Sequence, residues 1–181
     1  MRTSLLALGL VPALLVAPLR AAEPLPNVPV ETLDLQRYSG QWHEIAHLPM
    51  FFQKQCVGDV TATYTPREDG RIGVRNACRT DDGSMDVAEG TARPAGDAQG
   101  QLEVRFAPEW LSWLPMVWGD YWVLETGPDY EWAVVGSPGK DYLWILSRTP
   151  TMDRERFDAL RERAARRGYP VDELVMMAEV D

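Results

Sequence analysis

Apolar and polar residues alternate along much of this chain with the two-residue period of a β-strand. The clearest case is residues 101–106, where Leu102, Val104 and Phe106 alternate with charged or amide side chains. Similar short runs are separated by turn sequences such as Asp-Gly, Gly-Pro-Asp and Ser-Pro-Gly. Many short strands joined by tight turns predict an all-β sandwich or barrel.

Eight strands are predicted before the pattern changes. Their expected bounds are residues 41–48, 57–65, 72–78, 85–92, 101–106, 121–125, 130–135 and 142–147. Strands that follow one another through short turns favour an eight-stranded antiparallel up-and-down barrel. The interior of such a barrel holds side chains or one small ligand.

The period changes to that of a helix over residues 152–167, with Thr151 as the expected N-cap. Gly168 follows as the stop residue. The apolar positions of this helix share one stripe, which predicts docking on the outside of the sheet: Phe157, Leu160 and Ala164. A terminal strand is expected at about residues 174–179.

Residues 1–22 are typical of a secretory signal, which leaves residues 23–181 as the folded domain. Arg2 gives a basic start, residues 5–16 form an apolar run of 12 residues, and Ala21-Ala22 offers small side chains near a cleavage point. That run is too short to span a bilayer as a helix. Export predicts a periplasmic protein, with association to the outer membrane left open.

The chain has two cysteines, Cys56 and Cys78. They lie at the open ends of the predicted hairpin of residues 57–78, on opposite arms. In an exported chain such a pair favours one disulfide over a metal site. A reduced, buried pair is the alternative.

The chain is acidic, with 18 Lys+Arg against 27 Asp+Glu and a net charge of −9. This balance argues against nucleic-acid binding and against electrostatic docking on anionic lipid. No Ser/His/Asp order, phosphate loop or paired-carboxylate motif supports catalysis, and no cofactor is expected.

Residues 43–47, His-Glu-Ile-Ala-His, match the H-E-x-x-H pattern of zinc hydrolases, which would use His43, Glu44 and His47. Two imidazoles at this spacing meet one ion only on a helix, where they stand about 5–6 Å apart. On a strand the separation is about 13 Å. Pro49 lies two residues beyond the stretch and opposes a helix. We therefore expect a strand and no metal site, with a zinc metallohydrolase as the alternative.

Residues 108–119, PEWLSWLPMVWG, are almost wholly apolar and include Trp110, Trp113 and Trp118. Pro115 and the lack of polar residues favour a loop over a helix. The favoured interpretation is a loop folded over the barrel mouth. The alternative is a patch that contacts a membrane or a partner.

Three short motifs resemble the three signatures of the lipocalin family. They are Gly40-x-Trp42 at the start of the first strand, Asp120-Tyr121 before a later strand, and Arg148 after the last barrel strand. Gly119 stands where the second signature usually has threonine. The resemblance is closest to the bacterial, apolipoprotein D-like lipocalins.

The resemblance covers about residues 33–179 and includes the run at residues 141–150, DYLWILSRTP. It implies a non-catalytic carrier of a small apolar ligand, with a fatty acid or lysophospholipid favoured. Many bacterial members are lipoproteins anchored through a cysteine at the end of the signal. That cysteine is missing here, so a soluble periplasmic carrier is expected. The oligomeric state is left open.

The resemblance also implies a structural role for Gly40, Trp42 and Arg148 at the closed end of the barrel. In lipocalins the tryptophan packs inside this end and the arginine lies across its face. Strand alternation from Trp42 then turns Glu44 and Ala46 inward. Alternation from Arg148 fixes the inward residues of the last barrel strand: Leu146, Trp144 and Tyr142.

Eight residues above this floor are expected to line an apolar pocket. They are Trp144, Tyr142, Tyr121, Val123, Trp132, Val104, Phe106 and Tyr64. A pocket with few polar groups suits an acyl chain, and an aromatic N–H or O–H near the mouth can bond a carboxylate or phosphate head. For each residue, packing in the core is the alternative.

Overall fold

A computed structural model describes residues 23–181, in which nine strands form one antiparallel sheet. The strands are β1 (Gly40–His47), β2 (Cys56–Pro66), β3 (Ile72–Thr80), β4 (Met85–Pro94), β5 (Gln101–Arg105), β6 (Gly119–Thr126), β7 (Trp132–Gly136), β8 (Leu143–Ser147) and β9 (Val175–Met176). Strands β2 to β8 pair in sequence, and β1 joins β8 to β2, which closes an eight-stranded barrel. The predicted fold class is confirmed. The predicted signal segment lies outside the described residues.

Two α-helices flank the barrel, α1 (Leu35–Tyr38) just before β1 and α2 (Arg154–Arg166) after β8. Helix α2 begins after Asp153, whose side chain accepts a hydrogen bond from the backbone of Arg156. The predicted N-cap, Thr151, is therefore wrong by two residues. Gly168 has a φ of +93° and stops the helix as predicted. Within residues 23–181, none of the helices has the length and apolar character needed to span a membrane.

The alternating strand directions put the connections at two ends of the barrel. Helix α1, the β2–β3 turn and the β6–β7 turn lie at the closed end. Residues 48–55, 81–84 and 137–142 connect strands at the open end. Strand β5 is short and pairs only with the last four residues of β4. The β5–β6 connection, residues 106–118, therefore leaves the sheet partway up the barrel.

A β-bulge in β1 changes which side chains face the barrel interior. The pairing of β1 with β8 shifts register between Glu44 and Ala46. Trp42 packs in the inner core, but Ala46 joins the outer core beneath α2. The expectation that Ala46 points inward is therefore wrong, because a bulge adds one residue and breaks the alternation.

Buried apolar residues form two cores separated by the sheet. The inner core fills the closed half of the barrel and includes Trp42, Val123, Val135 and Leu146. The outer core lies between the sheet and α2, whose buried residues are those of the predicted stripe: Phe157, Leu160 and Ala164. Helix α2 therefore covers one flank of the barrel from outside and does not enter the barrel interior.

Candidate functional site

A largely apolar cavity of about 280 Å³ opens inside the barrel. This volume is close to the lower end of the range for small-molecule pockets, about 300–1,000 Å³. Five of the eight predicted pocket residues line it: Tyr64, Val104, Phe106, Tyr121 and Trp144. Alternation from Arg148 therefore gives the correct side for Trp144.

Val123 and Tyr142 do not line the cavity. Val123 is fully buried in the inner core. Tyr142 lies in the connection that precedes β8, and its ring stacks on Trp144 with centroids 6.0 Å apart. Phe52, which sequence reasoning did not select, packs against Tyr142 at 5.8 Å and lines the cavity.

Trp132 faces away from the cavity, and its prediction as a pocket residue is corrected. It belongs to the outer core, with the guanidinium of Arg163 from α2 5.6 Å from its ring centroid. The inward residues of β7 are Ala133 and Val135. All five residues of this strand are buried, so hydrophobicity alone did not distinguish its two faces.

Arg148 closes the floor of the barrel. Its guanidinium carbon lies 3.7 Å from the centroid of the Trp42 ring, and burial lowers the pKa of this guanidinium. The guanidinium also donates to backbone carbonyl oxygens within residues 37–41 and in the β6–β7 turn: Arg37 at 2.6 Å, Ser39 at 2.9 Å, Gln41 at 2.8 Å and Tyr130 at 3.2 Å. Gly40 turns the chain between these groups with a φ of +92°, a conformation that favours glycine.

Three tyrosine hydroxyls meet above this floor. The hydroxyl of Tyr121 lies 2.7 Å from that of Tyr38 and 2.7 Å from that of Tyr64. Burial raises the pKa of each of the three hydroxyls. Sequence reasoning missed Tyr38 because it belongs to α1, where strand alternation does not apply.

A second polar cluster lies in the wall. Nδ1 of His47 is 2.5 Å from Oε1 of Glu44, and both residues are buried. The side-chain amide of Gln53 donates to the same carboxylate oxygen at 2.6 Å and ties the β1–β2 connection to the strand. Glu44 and Gln53 line the cavity, which places this cluster at its edge.

The H-E-x-x-H stretch lies in β1, as the strand prediction required. Its bulge turns His47 toward Glu44, while His43 pairs in register with Ser147 of β8. The helix on which a zinc site at this spacing depends is not formed. Within residues 23–181, no three His, Cys, Asp or Glu side chains group in a way that could hold a metal ion.

Cys56 and Cys78 form a disulfide, as predicted, with their Cα atoms 5.5 Å apart. The bond links the first residue of β2 to the upper part of β3. Both cysteines line the cavity. The disulfide therefore joins β2 to β3 covalently beside the cavity.

The tryptophan-rich connection packs on the outside of the barrel. The Trp118 ring lies 3.9 Å from the guanidinium carbon of Arg93 and 5.1 Å from that of Arg105. None of residues 108–118 lines the cavity, so the expectation of a loop folded over the mouth is wrong. Trp110 and Trp113 are 73% and 75% exposed.

Comparison with known proteins is consistent with this geometry. A family model described as a lipocalin-like domain matches residues 33–179. The chain is 42% identical to temperature-induced lipocalin-1 of Arabidopsis thaliana over 148 residues, which cover 80% of this chain and 78% of the relative. It is 34% identical to the outer membrane lipoprotein Blc of Vibrio cholerae over 154 residues, 83% of this chain and 85% of the relative.

Mouse apolipoprotein D is 32% identical over 160 residues, which cover 82% of this chain and 79% of the relative. Among solved structures, insecticyanin from the tobacco hornworm Manduca sexta superposes with a TM-score of 0.64 at 23% identity, covering 89% of each chain. At that identity the structural match supports the fold alone.

Proposed function

The chain belongs to the lipocalin family, and from this membership and its cavity we propose a non-catalytic carrier of a fatty acid or lysophospholipid. The lipocalin relatives support the binding of a small hydrophobic molecule. That this molecule is an acyl lipid is our proposal. The single observation that carries it is the apolar cavity with Trp144 in its wall.

The wall chemistry suits an extended hydrocarbon chain. Trp144 and Tyr121 lie side by side with ring centroids 6.3 Å apart, and Val104 and Leu102 continue the apolar surface. A methylene group that moves from water into such a site gains about 0.8 kcal/mol. An acyl chain therefore obtains most of its affinity inside the barrel and leaves its polar head at the mouth.

We place this carrier in the cell envelope. The relatives named outer membrane lipoproteins support that location. The exposed side chains of Trp110, Trp113 and Met116 support the further proposal that the β5–β6 connection touches a lipid surface. Trp118 is held between Arg93 and Arg105 and does not belong to that contact surface.

Flotation with uncharged phosphatidylcholine vesicles tests the membrane contact. The unaltered protein should float with such vesicles, since they do not repel its net negative charge. The double variant Trp110→Ser with Trp113→Ser should no longer float, but it should still bind lipid in the cavity. Equal flotation of the variant and the unaltered chain would place the contact elsewhere.

Tryptophan fluorescence tests the carrier proposal. Hexadecanoic acid or a lysophospholipid should quench or shift the emission of delipidated protein at micromolar concentration, about −8 kcal/mol of binding. Trp144→Phe keeps the pocket apolar and should remove most of this change. Trp113→Phe, outside the cavity, is the matched control and should leave the change intact. A folded protein that responds to no lipid would refute the proposal.

A further inference from the structure

The three tyrosine hydroxyls at the closed end of the cavity have one hydrogen that is not used in the hydrogen bonds between them. Tyr38, Tyr64 and Tyr121 supply three hydroxyl hydrogens. The two contacts centred on Tyr121, both 2.7 Å long, use two of these hydrogens. Within residues 23–181, these hydroxyls make no other hydrogen bond.

The position of the third hydrogen follows from the allowed directions of the two bonds. If Tyr38 and Tyr64 both donate to Tyr121, the hydrogen of Tyr121 is left. If Tyr38 donates to Tyr121 and Tyr121 donates to Tyr64, the hydrogen of Tyr64 is left. Both of these rings line the cavity.

The remaining direction leaves the unused donor on Tyr38. That residue is 2% exposed and does not line the cavity. A buried hydroxyl with no acceptor is strongly disfavoured relative to one that a ligand or solvent can reach. The unused donor therefore belongs to Tyr64 or Tyr121 and is available to the cavity.

The charge of the wall decides which acceptor fits this donor. Burial raises the pKa of the three hydroxyls, so they remain uncharged donors. Among the described residues that line the cavity there is no lysine, arginine or histidine, whereas Glu44 and Asp86 are present. A ligand carboxylate at the cavity floor would lose its hydration without gaining a cationic partner. An uncharged ligand oxygen at the same place needs only the hydrogen bond from a tyrosine.

We infer that the cavity floor selects an acyl ligand that carries an uncharged oxygen, a hydroxyl or keto group, on the buried part of its chain. Tyr64 and Tyr121 bind this oxygen, and the ionised head of the ligand stays at the mouth. The inference rests on the proposed carrier function, since it specifies the chain that enters the same cavity.

Isothermal titration calorimetry with positional isomers tests this selectivity. The probes are hexadecanoic acid and a series of hydroxyhexadecanoic and oxohexadecanoic acids, substituted at successive carbons of the second half of the chain. At least one position should bind about fivefold tighter than the parent acid, the gain expected from one hydrogen bond. Isomers whose oxygen misses the floor should bind no tighter than the parent acid.

The double variant Tyr64→Phe with Tyr121→Phe assigns the effect to the floor. It should bind the favoured isomer no more tightly than hexadecanoic acid, whatever its affinity for hexadecanoic acid itself. Tyr64→Phe alone leaves two hydroxyls and one bond between them, so Tyr121 can still donate and much of the preference should remain. Tyr130→Phe, a tyrosine outside the cavity, is the matched control.

Three results overturn the inference. Equal affinity for the parent acid and every isomer would refute the selectivity while leaving the carrier function in place. A preference that survives in the folded double variant would move the donor away from the tyrosines. Failure to bind any acid would refute the carrier function and this inference together. If the double variant does not fold, the isomer series on the unaltered chain still tests whether the cavity prefers a substituted acid.

Discussion

The guanidinium carbon of Arg148 stacks 3.7 Å from the centre of the Trp42 ring, which joins the end of the last barrel strand to the start of the first. The same guanidinium reaches four backbone carbonyl oxygens, three within residues 37–41 and one in the β6–β7 turn. One side chain therefore holds together the segments that close the barrel floor.

Replacement of Arg148 should destabilise the fold without removing a ligand contact. Arg148→Ala should lower the free energy of unfolding by about 2–4 kcal/mol, through lost stacking and lost charge-assisted hydrogen bonds. Arg148→Lys should recover only part of the lost stability, because the lysine ammonium group cannot reproduce the planar arrangement of guanidinium N–H donors. Guanidinium chloride unfolding measures both variants.

The matched control is Arg156→Ala. This arginine is exposed and pairs with Glu131 at 3.3 Å, so its loss should cost less than about 1 kcal/mol. An Arg148→Ala variant of unchanged stability that no longer binds lipid would instead put Arg148 in the binding site.

Loss of the disulfide should lower stability and leave the barrel folded. Cys56→Ala with Cys78→Ala should cost about 3 kcal/mol, because the bond closes a loop across 22 positions of sequence. The urea concentration at the unfolding midpoint should be lower for the double variant than for the unaltered chain. Adding reductant to the unaltered chain should lower its midpoint by a similar amount. Identical midpoints with and without reductant would show that the bond contributes nothing.

Stability should fall at alkaline pH because of the buried tyrosines. Burial raises the pKa of Tyr38, Tyr64 and Tyr121 above the usual value near 10. The unfolded chain therefore releases protons above about pH 10 that the folded chain still binds. The stabilisation is fully present below pH 10 and is lost as pH rises beyond it, by about 1 kcal/mol for each tyrosine at pH 11.

Denaturant unfolding at pH 8 and pH 11 measures this loss. Tyr121→Phe removes one titrating group and should show a smaller fall between the two pH values, although its stability at pH 8 is lower. A fall of the same size in both proteins would assign the alkaline effect to other groups.

The pair of Glu44 and His47 should show strong coupling. His47→Ala removes the imidazole 2.5 Å from the buried Glu44 side chain, and loss of one hydrogen-bond partner from a buried polar group costs about 1–3 kcal/mol. If the two side chains depend on each other, adding Glu44→Gln to His47→Ala should cost less than Glu44→Gln alone. A double-mutant cycle on unfolding free energies measures the coupling, and additive effects would show that the two side chains act independently.

Strand alternation predicted the cavity wall correctly within β8, where Arg148 set its phase. Arg148 fixed the phase of β8 and placed Trp144 and Leu146 inside, as observed. Alternation failed at Ala46, because the bulge in β1 cannot be recognised from residue types alone. No fixed residue set the phase of β7, and Trp132 was assigned to the wrong face because all five residues of that strand are buried.

Contacts made by loops and caps were beyond sequence reasoning. Gln53 reaches Glu44 from a connection whose path the strand pattern does not determine. Tyr38 joins the tyrosine cluster from a helix of four residues. The Trp118 ring lies outside the barrel, where it contacts the guanidinium groups of Arg93 and Arg105. No periodic sequence pattern relates these three positions.

The placement of β1 between β8 and β9 has a consequence for the order of folding. Residues 40–47 leave the ribosome early, but their partners at 143–147 and 175–176 emerge more than about ninety residues later. Contacts of such long sequence separation form slowly, since the loop between them must close first. Until then β1 presents unpaired backbone groups that can pair with a neighbouring chain. A chain that has not yet made its last barrel strand therefore exposes an open strand edge in β1.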